Sequence, residues 1–331
     1  EDVESVCGEY HHYTTPNPQV FSSADASARI TLVESGPVRA TLKIKIPLLL
    51  PESATADLQL RSETLVPCPI TTWVTLSARS PRLDFRTVVE NRAKDHRLRV
   101  LFPTGIKTDR VHVEAPFQIV ERQVSLPEAS DWVEKPVPES PQQTLADVSD
   151  HTRGLALINQ GLAEYAALQS PDGIVLALTL LRAVGWIGRR GFNTAVYEIP
   201  TPDAQCLGTH EFRYSLLPHQ GDWRQARVWQ AAHSFNAPLE VVETGRHASP
   251  LPNTVSFVTV EPAEIIVTAL KKAEEGDAVI VRLYNPSDKE VPVTLSCFKT
   301  LARAQSANLL EEPLADLPLQ DGKALFPVGP H

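Results

Sequence analysis

The chain has 331 residues, of which 42% are hydrophobic and 21% charged, and its formal net charge at pH 7 is -9. These values are typical of a globular protein with a sizeable core, and the length predicts two domains. The acidic balance argues against a nucleic-acid partner, because phosphate-binding faces are basic. No apolar run approaches the roughly 18 residues that span a bilayer, so no membrane partner is expected.

The cysteines predict a reducing compartment. The four thiols, Cys7, Cys68, Cys206 and Cys297, have neither CxxC nor zinc-knuckle spacing. We therefore expect ordinary buried thiols. No signal-peptide pattern opens the sequence, and cytoplasmic localisation is the expectation. The sequence contains no methionine, not even an initiator, which favours a fragment or a processed chain.

Most predicted elements are strands, because apolar residues recur at every second position. In chain order the candidates are 42–46, 70–76, 83–86, 98–102, 117–121, 155–158, 174–181, 212–217, 256–260, 278–284 and 291–296. Turn signals separate them, for example at 34–37, 170–173 and 285–288. The 28 prolines suit loops and edge strands. The pattern predicts an all-β fold of large sandwiches.

Charged residues precede the predicted strand at 98–102, and one more lies within it. Asp95, His96, Arg97 and Arg99 stand together in "AKDHRLRVLFPTG". Alternation directs the apolar residues 98, 100 and 102 toward a core and the two arginines toward water. A functional site is the other interpretation of the same cluster.

One helix is predicted near 222–235. Asp222 is a good N-cap with Gln225 three residues later, as in a capping box, and apolar residues follow at helical spacing. The polar, proline-rich stretch 243–253 then predicts a linker. This divides the chain into a domain at 1–245 and a smaller one at 250–331.

No catalytic motif is evident, since HExxH, GxSxG and a glycine-rich phosphate loop are all missing. His11 and His12 are adjacent, so on a strand they point to opposite faces and make a poor metal site. His151 in "SDHTRG" is either part of a turn that Asp150 stabilises or a ligand contact in a loop mouth.

Two further features, the Glu164–Tyr165 pair and Arg182, each allow two interpretations. Glu164 and Tyr165 are either a sugar-binding pair or a half-exposed strand end. Arg182 ends the apolar run "IVLALTLL", so its guanidinium needs a partner. That partner is either a structural salt bridge or a hydroxyl-rich or anionic ligand.

Several segments, in order and across almost the whole chain, carry a family resemblance. They include "PRLDFRTVVENRAKDHRLRVLFPTG", "RGLALINQGLAEYA", "LALTLLRAVGWIGRR", "PTPDAQCLGTHEFRYSLLPHQGDW" and "VIVRLYNPSDKEVPVTL". Together they resemble the C-terminal, non-catalytic half of glycoside hydrolase family 38, the α-mannosidases, in its bacterial branch. The resemblance implies a large galactose-mutarotase-like β-supersandwich followed by a smaller β-sandwich. It also implies that Asn91, Asp95 and His96 fix strand ends and turns, and that Arg97 and Arg99 line the sandwich surface or the domain interface.

The resemblance implies a retaining hydrolase whose chemistry lies outside this chain. The family uses a carboxylate nucleophile that also helps bind zinc, and a second carboxylate as acid/base. Both belong to its N-terminal catalytic domain, so we assign no catalytic residue and no metal ligand here, and expect zinc in that domain. The expected partners are this domain and an α-mannoside or related oligosaccharide. The chain alone is predicted to be inactive, with an exposed apolar patch where the domain would pack.

Substrate-binding candidates follow from the same resemblance. Arg182 matches an arginine that the family's C-terminal half contributes to the sugar site, Arg122 in "IVER" is a weaker match, and His151 is the third candidate. The alternative function is a stand-alone carbohydrate-binding or mutarotase-like domain. A mutarotase would need a histidine facing a glutamate, for which only His219 or His151 with Glu164 could be considered.

Overall fold

The structure is a computed structural model that describes residues 1–8, 11–189, 198–246, 248 and 250–330. The chain forms two compact units. The first consists of Glu1–Glu114 and Val120–Pro238, and the second of Ala115–Ile119 and Leu239–His331. The predicted linker at 243–253 therefore begins a few residues after the observed boundary. Nothing in the sequence pattern indicated that 115–119 belong with the second unit.

Antiparallel strands make up the first unit. In the described residues they are β1 (Asp2–Glu4), β2 (Arg29–Ser35), β3 (Arg39–Ile46), β4 (Leu49–Pro51), β5 (Leu65–Pro67), β6 (Ile70–Ser77), β7 (Leu83–Asn91), β8 (His96–Pro103), β9 (Arg110–Ala115), β10 (Gln118–Gln123), β11 (Glu139–Pro141), β12 (Leu145–Ser149), β13 (Arg153–Asn159), β14 (Glu164–Ser170), β15 (Gly173–Ala183), β16 (Trp186–Gly188), β17 (Ile199–Pro200) and β18 (Gly208–Gln220).

Two sheets form the large sandwich. One has five strands in the order β1-β8-β15-β14-β11, and the other has nine in the order β10-β9-β12-β13-β18-β7-β6-β3-β2. Apolar residues from both sheets, among them Leu98, Leu157, Leu176 and Tyr214, share one buried core. Alternation explains this arrangement, because every second side chain of a strand points to the same face.

The all-β prediction is confirmed, and each predicted strand coincides with an observed one. The most uniform apolar run, 174–181, lies within β15, the middle strand of the five-stranded sheet. Several strands, β1 and β11 among them, were not predicted. β1, with the sequence Asp-Val-Glu, is completely buried because Asp2 pairs with Arg61 and His96.

The short helix exists, but its predicted start was wrong. The α-helix in the described residues, α1, runs over Val228–Asn236 and is entered through Arg227 in the left-handed region. Asp222 does accept a hydrogen bond from the backbone N–H of Gln225 at 2.9 Å. That bond closes a turn over 223–227, which precedes the helix. No helix in the described part of the chain is long and apolar enough to cross a bilayer.

The second unit is a smaller β-structure. Its described strands are β19 (Val258–Glu261), β20 (Ile266–Lys272), β21 (Val279–Tyr284), β22 (Val291–Cys297), β23 (Gln305–Ala307), β24 (Pro313–Asp316), β25 (Leu319–Gln320) and β26 (Lys323–Val328). A four-stranded sheet, β19-β22-β26-β25, is accompanied by the hairpins β20-β21 and β23-β24. Its core centres on Ile265, Val291 and Val293. Phe117 contributes an edge-on contact with Tyr284, with ring centroids 6.3 Å apart.

Candidate functional site

A cluster of charged side chains lies on the outer face of the five-stranded sheet. The strand registers place Arg97 of β8 opposite Arg182 of β15, and Arg99 opposite Thr179. Glu164 begins β14 and Glu139 begins β11 on the same sheet. We call Arg97, Arg99, Arg182, Glu139 and Glu164 the arginine–glutamate cluster.

Glu139 is the anion between two arginines. Its Oε1 accepts from Nη1 of Arg97 at 2.5 Å and from Nη1 of Arg99 at 3.3 Å, and Arg99 also pairs with Glu1. Burial would raise the pKa of Glu139, but the charges and hydrogen bonds of the two arginines hold that pKa below its ordinary value. Charge-assisted bonds of this kind fix side-chain geometry.

The prediction that Arg97 and Arg99 face water was wrong. Alternation correctly placed them on the face opposite Leu98, yet their side chains are only 5% and 9% exposed. The outer face is covered locally, because Glu139 and the segment that carries His12 lie over it. Alternation identifies a face but does not say what covers it.

Arg182 holds a neighbouring chain segment. Its Nη2 donates to the carbonyl oxygens of Gly8 at 2.5 Å and His11 at 2.7 Å. Burial lowers the pKa of its guanidinium, and the charges of Glu164 and Glu139 oppose that shift. The sequence did not indicate that backbone carbonyls would be among the partners of this guanidinium. Glu164 is bound by the hydroxyl of Thr179, with Oγ1 and Oε1 2.5 Å apart.

His12 is an imidazole beside the cluster. Its Nε2 donates to the backbone carbonyl of Glu4 at 2.5 Å. Burial, followed by the charge of Arg97, lowers the pKa of His12 from 6.5 to about 3. His11, by contrast, lies 4.0 Å from Glu134. The two adjacent rings therefore have different partners, as expected for neighbouring residues on an extended chain.

The remaining charged residues of "AKDHRLR" stabilise the fold. His96 faces inward, with Nδ1 2.5 Å from Oδ2 of Asp2 and Nε2 2.9 Å from Oδ1 of Asn91. Asp95 accepts from the side-chain amide of Gln205 at 2.6 Å and from the backbone N–H of Ala54. These contacts tie the start of β8 to four other segments, which is the strand-end role that the resemblance implied.

Arg122 belongs to β10, an edge strand of the nine-stranded sheet, and its side chain reaches β11 of the five-stranded sheet. Its Nη1 donates to the carbonyl oxygen of Pro141 at 2.9 Å. Burial raises the pKa of the nearby Tyr165 hydroxyl, and the positive charge of Arg122 opposes that shift. Tyr165 belongs to the core, so the possible sugar-binding pair of Glu164 and Tyr165 is not an exposed pair.

His151 occupies the turn between β12 and β13, away from the cluster. The turn is held by Asp150, whose Oδ1 accepts from the backbone N–H of Thr152 and of Arg153. The Arg153 side chain donates a hydrogen bond to the carbonyl oxygen of Gly105. Gly105 follows Pro103, the last residue of β8, which pairs with Val175. Val175 and Arg182 are separated by seven residues, or roughly 23 Å of strand. The structure therefore does not bring His151 and Arg182 together.

The pairs considered for a mutarotase, His219 or His151 with Glu164, are not brought together in the part of the chain that the structure describes. His219 bonds Asp147, with Nε2 and Oδ1 2.7 Å apart, on the outer face of the nine-stranded sheet. Glu164 lies on the outer face of the other sheet, so the core separates the two side chains. His151 is exposed on its turn.

In the residues that the structure describes, no group of three or more His, Cys, Asp or Glu side chains could hold a metal ion. All four cysteines are free, with Cys7 and Cys68 buried and Cys206 and Cys297 only partly so. The expectation of ordinary buried thiols therefore holds for two of them.

Two residues beside the cluster, Glu139 and His12, could not be recognised from sequence patterns. Glu139 stands in the proline-rich segment "VPESPQQ", where no alternation is visible. His12 was considered only as a metal ligand. The one available signal was the presence of arginines on β8 and β15, because a buried guanidinium group needs a hydrogen-bonding or charged partner.

Family models match both units. The model of the "Glycosyl hydrolases family 38 C-terminal domain" matches residues 2–205. That of the "Glycosyl hydrolases family 38 C-terminal beta sandwich domain" matches residues 257–331. The chain belongs to glycosyl hydrolase family 38. The arginine–glutamate cluster and Arg122 fall inside the first match, in the C-terminal domain of this family.

Named proteins are similar to this chain over most of its length. A crystal structure of an α-mannosidase from Enterococcus faecalis V583 is 32% identical, with a TM-score of 0.85 over 99% of this chain and 37% of that one. A protein of Halalkalibacterium halodurans, provisionally named a mannosylglycerate hydrolase, is 30% identical over 86% of this chain and 32% of its own length. Human α-mannosidase 2C1 is 30% identical over 78% of this chain and 23% of its own length. The chain thus spans between about a quarter and somewhat more than a third of the length of these relatives.

Proposed function

We propose that this chain is the carboxyl-terminal β region of a retaining α-mannosidase-type glycoside hydrolase. It packs on an amino-terminal catalytic domain and completes the sugar site of that domain. The observation that carries the proposal is the match to the E. faecalis α-mannosidase over 99% of the chain. The substrate is an α-mannoside or related oligosaccharide, and the names of two further relatives support this class.

The proposal assigns the chemistry of bond cleavage to the catalytic domain. A retaining mechanism needs two carboxylates about 5 Å apart across one glycosidic bond. The carboxylates of the cluster are instead bound by arginines or by Thr179. Zinc belongs in this proposal to the catalytic domain. A cytoplasmic location, which the free cysteines allow, is part of the proposal.

Arg182, Arg122 and His151 are the proposed substrate-binding residues, and the geometry supports them unequally. Arg182 is the best placed, because it fixes the backbone at Gly8 and His11 beside a cluster rich in hydrogen-bonding groups. Sugar hydroxyls are recognised by such oriented donors and acceptors. Arg122, on β10 of the nine-stranded sheet, reaches β11 of the five-stranded sheet with its side chain, whereas His151 lies in the turn between β12 and β13.

The experiment compares this chain with the polypeptide that the complete gene encodes. With zinc supplied, the complete polypeptide should hydrolyse an aryl α-mannoside with retention of anomeric configuration, as followed by NMR of the first product. The chain of residues 1–331 should be folded and inactive. Turnover by the purified chain alone, if it survives repurification, would contradict the division of labour. Failure of the complete polypeptide on every α-mannoside would contradict the proposed reaction.

A further inference from the structure

The inner face of the nine-stranded sheet is only partly covered. Four aliphatic side chains at its β2 end are open to solvent: Ile30 is 62% exposed, Leu32 58%, Leu42 41% and Leu76 52%. Val74 between them is half-buried. We call these five residues the open apolar face. All are in regular strands, so their exposure is not that of a loose loop.

Strand register makes this face continuous. Leu32 of β2 lies opposite Leu42 of β3, and Leu42 lies opposite Val74 of β6. Val74 in turn pairs with Phe85, which belongs to the shared core. Among the described residues, the part of β3 and β6 that packs on this core is Ile46 and Ile70, at the other end of both strands. The core surface therefore extends sideways past the sheet that covers it.

The opposite face of the same strands is suited to water. Lys43 and Arg86 flank the ring of Trp73, at 4.9 Å and 4.5 Å from its centroid. Glu34 binds Arg39 and Thr41 near the hairpin turn. One polar and one apolar face is the pattern of a strand pair that is buried on one side. Contiguous exposed aliphatic surface of this kind marks an interaction site.

We propose that the amino-terminal catalytic portion of the family 38 polypeptide docks on the open apolar face. This inference rests on the proposed function and goes further by naming the surface. The occupant follows from length, because similar relatives carry about two thirds of their chain beyond the part matched here. It also follows from chemistry: the face presents aliphatic side chains without a charge among them, so the partner surface must be apolar as well.

The test is hydrogen–deuterium exchange on this chain and on the complete polypeptide. Amides of β2, β3 and β6 near Leu32, Leu42 and Leu76 should exchange at least about tenfold more slowly in the complete polypeptide. Leu32→Glu should abolish this protection and lower the melting temperature of the complete polypeptide. The same substitution should leave the melting temperature of the isolated chain unchanged, since Leu32 is exposed there. Thr31→Glu, its neighbour on the polar face, is the matched control and should have no effect in either protein.

Three results would overturn the proposal. Exchange could be equal in both proteins, or Leu32→Glu could destabilise the isolated chain as much as the complete polypeptide. Alternatively, the isolated chain could sediment as a dimer that Leu32→Glu dissociates, which would make a second copy the occupant. A complete polypeptide with protected strands but no α-mannoside hydrolysis would support the docking and contradict the proposed function, so the two failures can be told apart.

Discussion

The burial of His12 makes the stability of the chain depend on pH. Its imidazole is neutral in the folded chain at neutral pH, because burial lowers its pKa to about 3, whereas an unfolded histidine titrates near 6.5. Between these values the unfolded state binds a proton that the folded state does not. The free energy of unfolding therefore falls as pH falls through this window, by up to about 1.4 kcal/mol per pH unit from this residue.

We expect His12→Gln to flatten that dependence. Glutamine keeps an N–H for the carbonyl of Glu4 but does not titrate. Urea unfolding of the variant and of the parent at pH 7, 6, 5 and 4 measures the difference. His151→Gln, at an exposed position, is the control and should follow the parent. If both variants follow the parent, His12 is not a source of the acid sensitivity.

Arg182 should matter more for hydrolysis than for folding, although its hydrogen bonds to Gly8 and His11 add a structural role. Arg182→Lys in the complete polypeptide should lower kcat/KM about 10²-fold, because lysine lacks the planar fork of donors. The melting temperature should change little, since lysine can still reach one carbonyl. If the melting temperature collapses and activity falls only with the folded fraction, Arg182 is a structural residue and its assignment to the sugar site is wrong.

At the scale of elements, the close packing of β13 on β18 depends on a missing side chain. Gly154 pairs with His219, and a Cβ at Gly154 would lie 2.1 Å from Cε1 of the imidazole. His219 in turn bonds the buried Asp147, which raises the pKa of His219 even though burial opposes the shift. The glycine therefore leaves the space in which a buried ion pair forms.

Gly154→Ala should displace His219 and leave Asp147 without its partner, at a cost of about 3 kcal/mol or more. Gly36→Ala is the control, because the added methyl group would be 3.6 Å from the Arg39 carbonyl, an ordinary contact. Urea unfolding at pH 7 measures both. Equal midpoints for the two variants would show that the ring moves aside without loss of the pair.

Sequence patterns identified the regular strands well and the charged or uncovered ones poorly. β15 could be predicted because it is apolar on both faces and bounded by turns. β1 could not, since its acids are buried only through partners that are distant in sequence, Arg61 and His96. The Asp222 capping signal was real but local, and it closed a turn before α1. For the candidate site, the residue types at Arg97, Arg99 and Arg182 were visible, whereas the covering residues Glu139 and His12 were not.

At the scale of the whole molecule, the residues with which the chain enters the second unit, from Leu239 onward, are highly exposed. Leu239, Val241 and Val242 are 96%, 93% and 82% exposed. A glutamate-specific protease should therefore cut after Glu240 or Glu243 long before it cuts within the sheets. Mass spectrometry identifies the site, and circular dichroism should show the β-sheet signal retained after the cut. Early cleavage inside β2–β18, or loss of the signal, would contradict the division into two compact units.

Both faces of β8 are buried, and this limits the insertions and deletions that the strand can tolerate. Its inward side holds His96 and Leu98, and its outward side holds Arg97 and Arg99 bound to Glu139. Removing one residue between 96 and 102 would exchange the two sides over part of the strand, placing guanidinium groups in the core and leucines against Glu139. Point substitutions there each affect one contact, but a length change affects both sets at once. The 93–105 stretch should therefore tolerate altered side chains far better than an altered residue count, unlike the turn at 34–37, where added residues would extend into solvent.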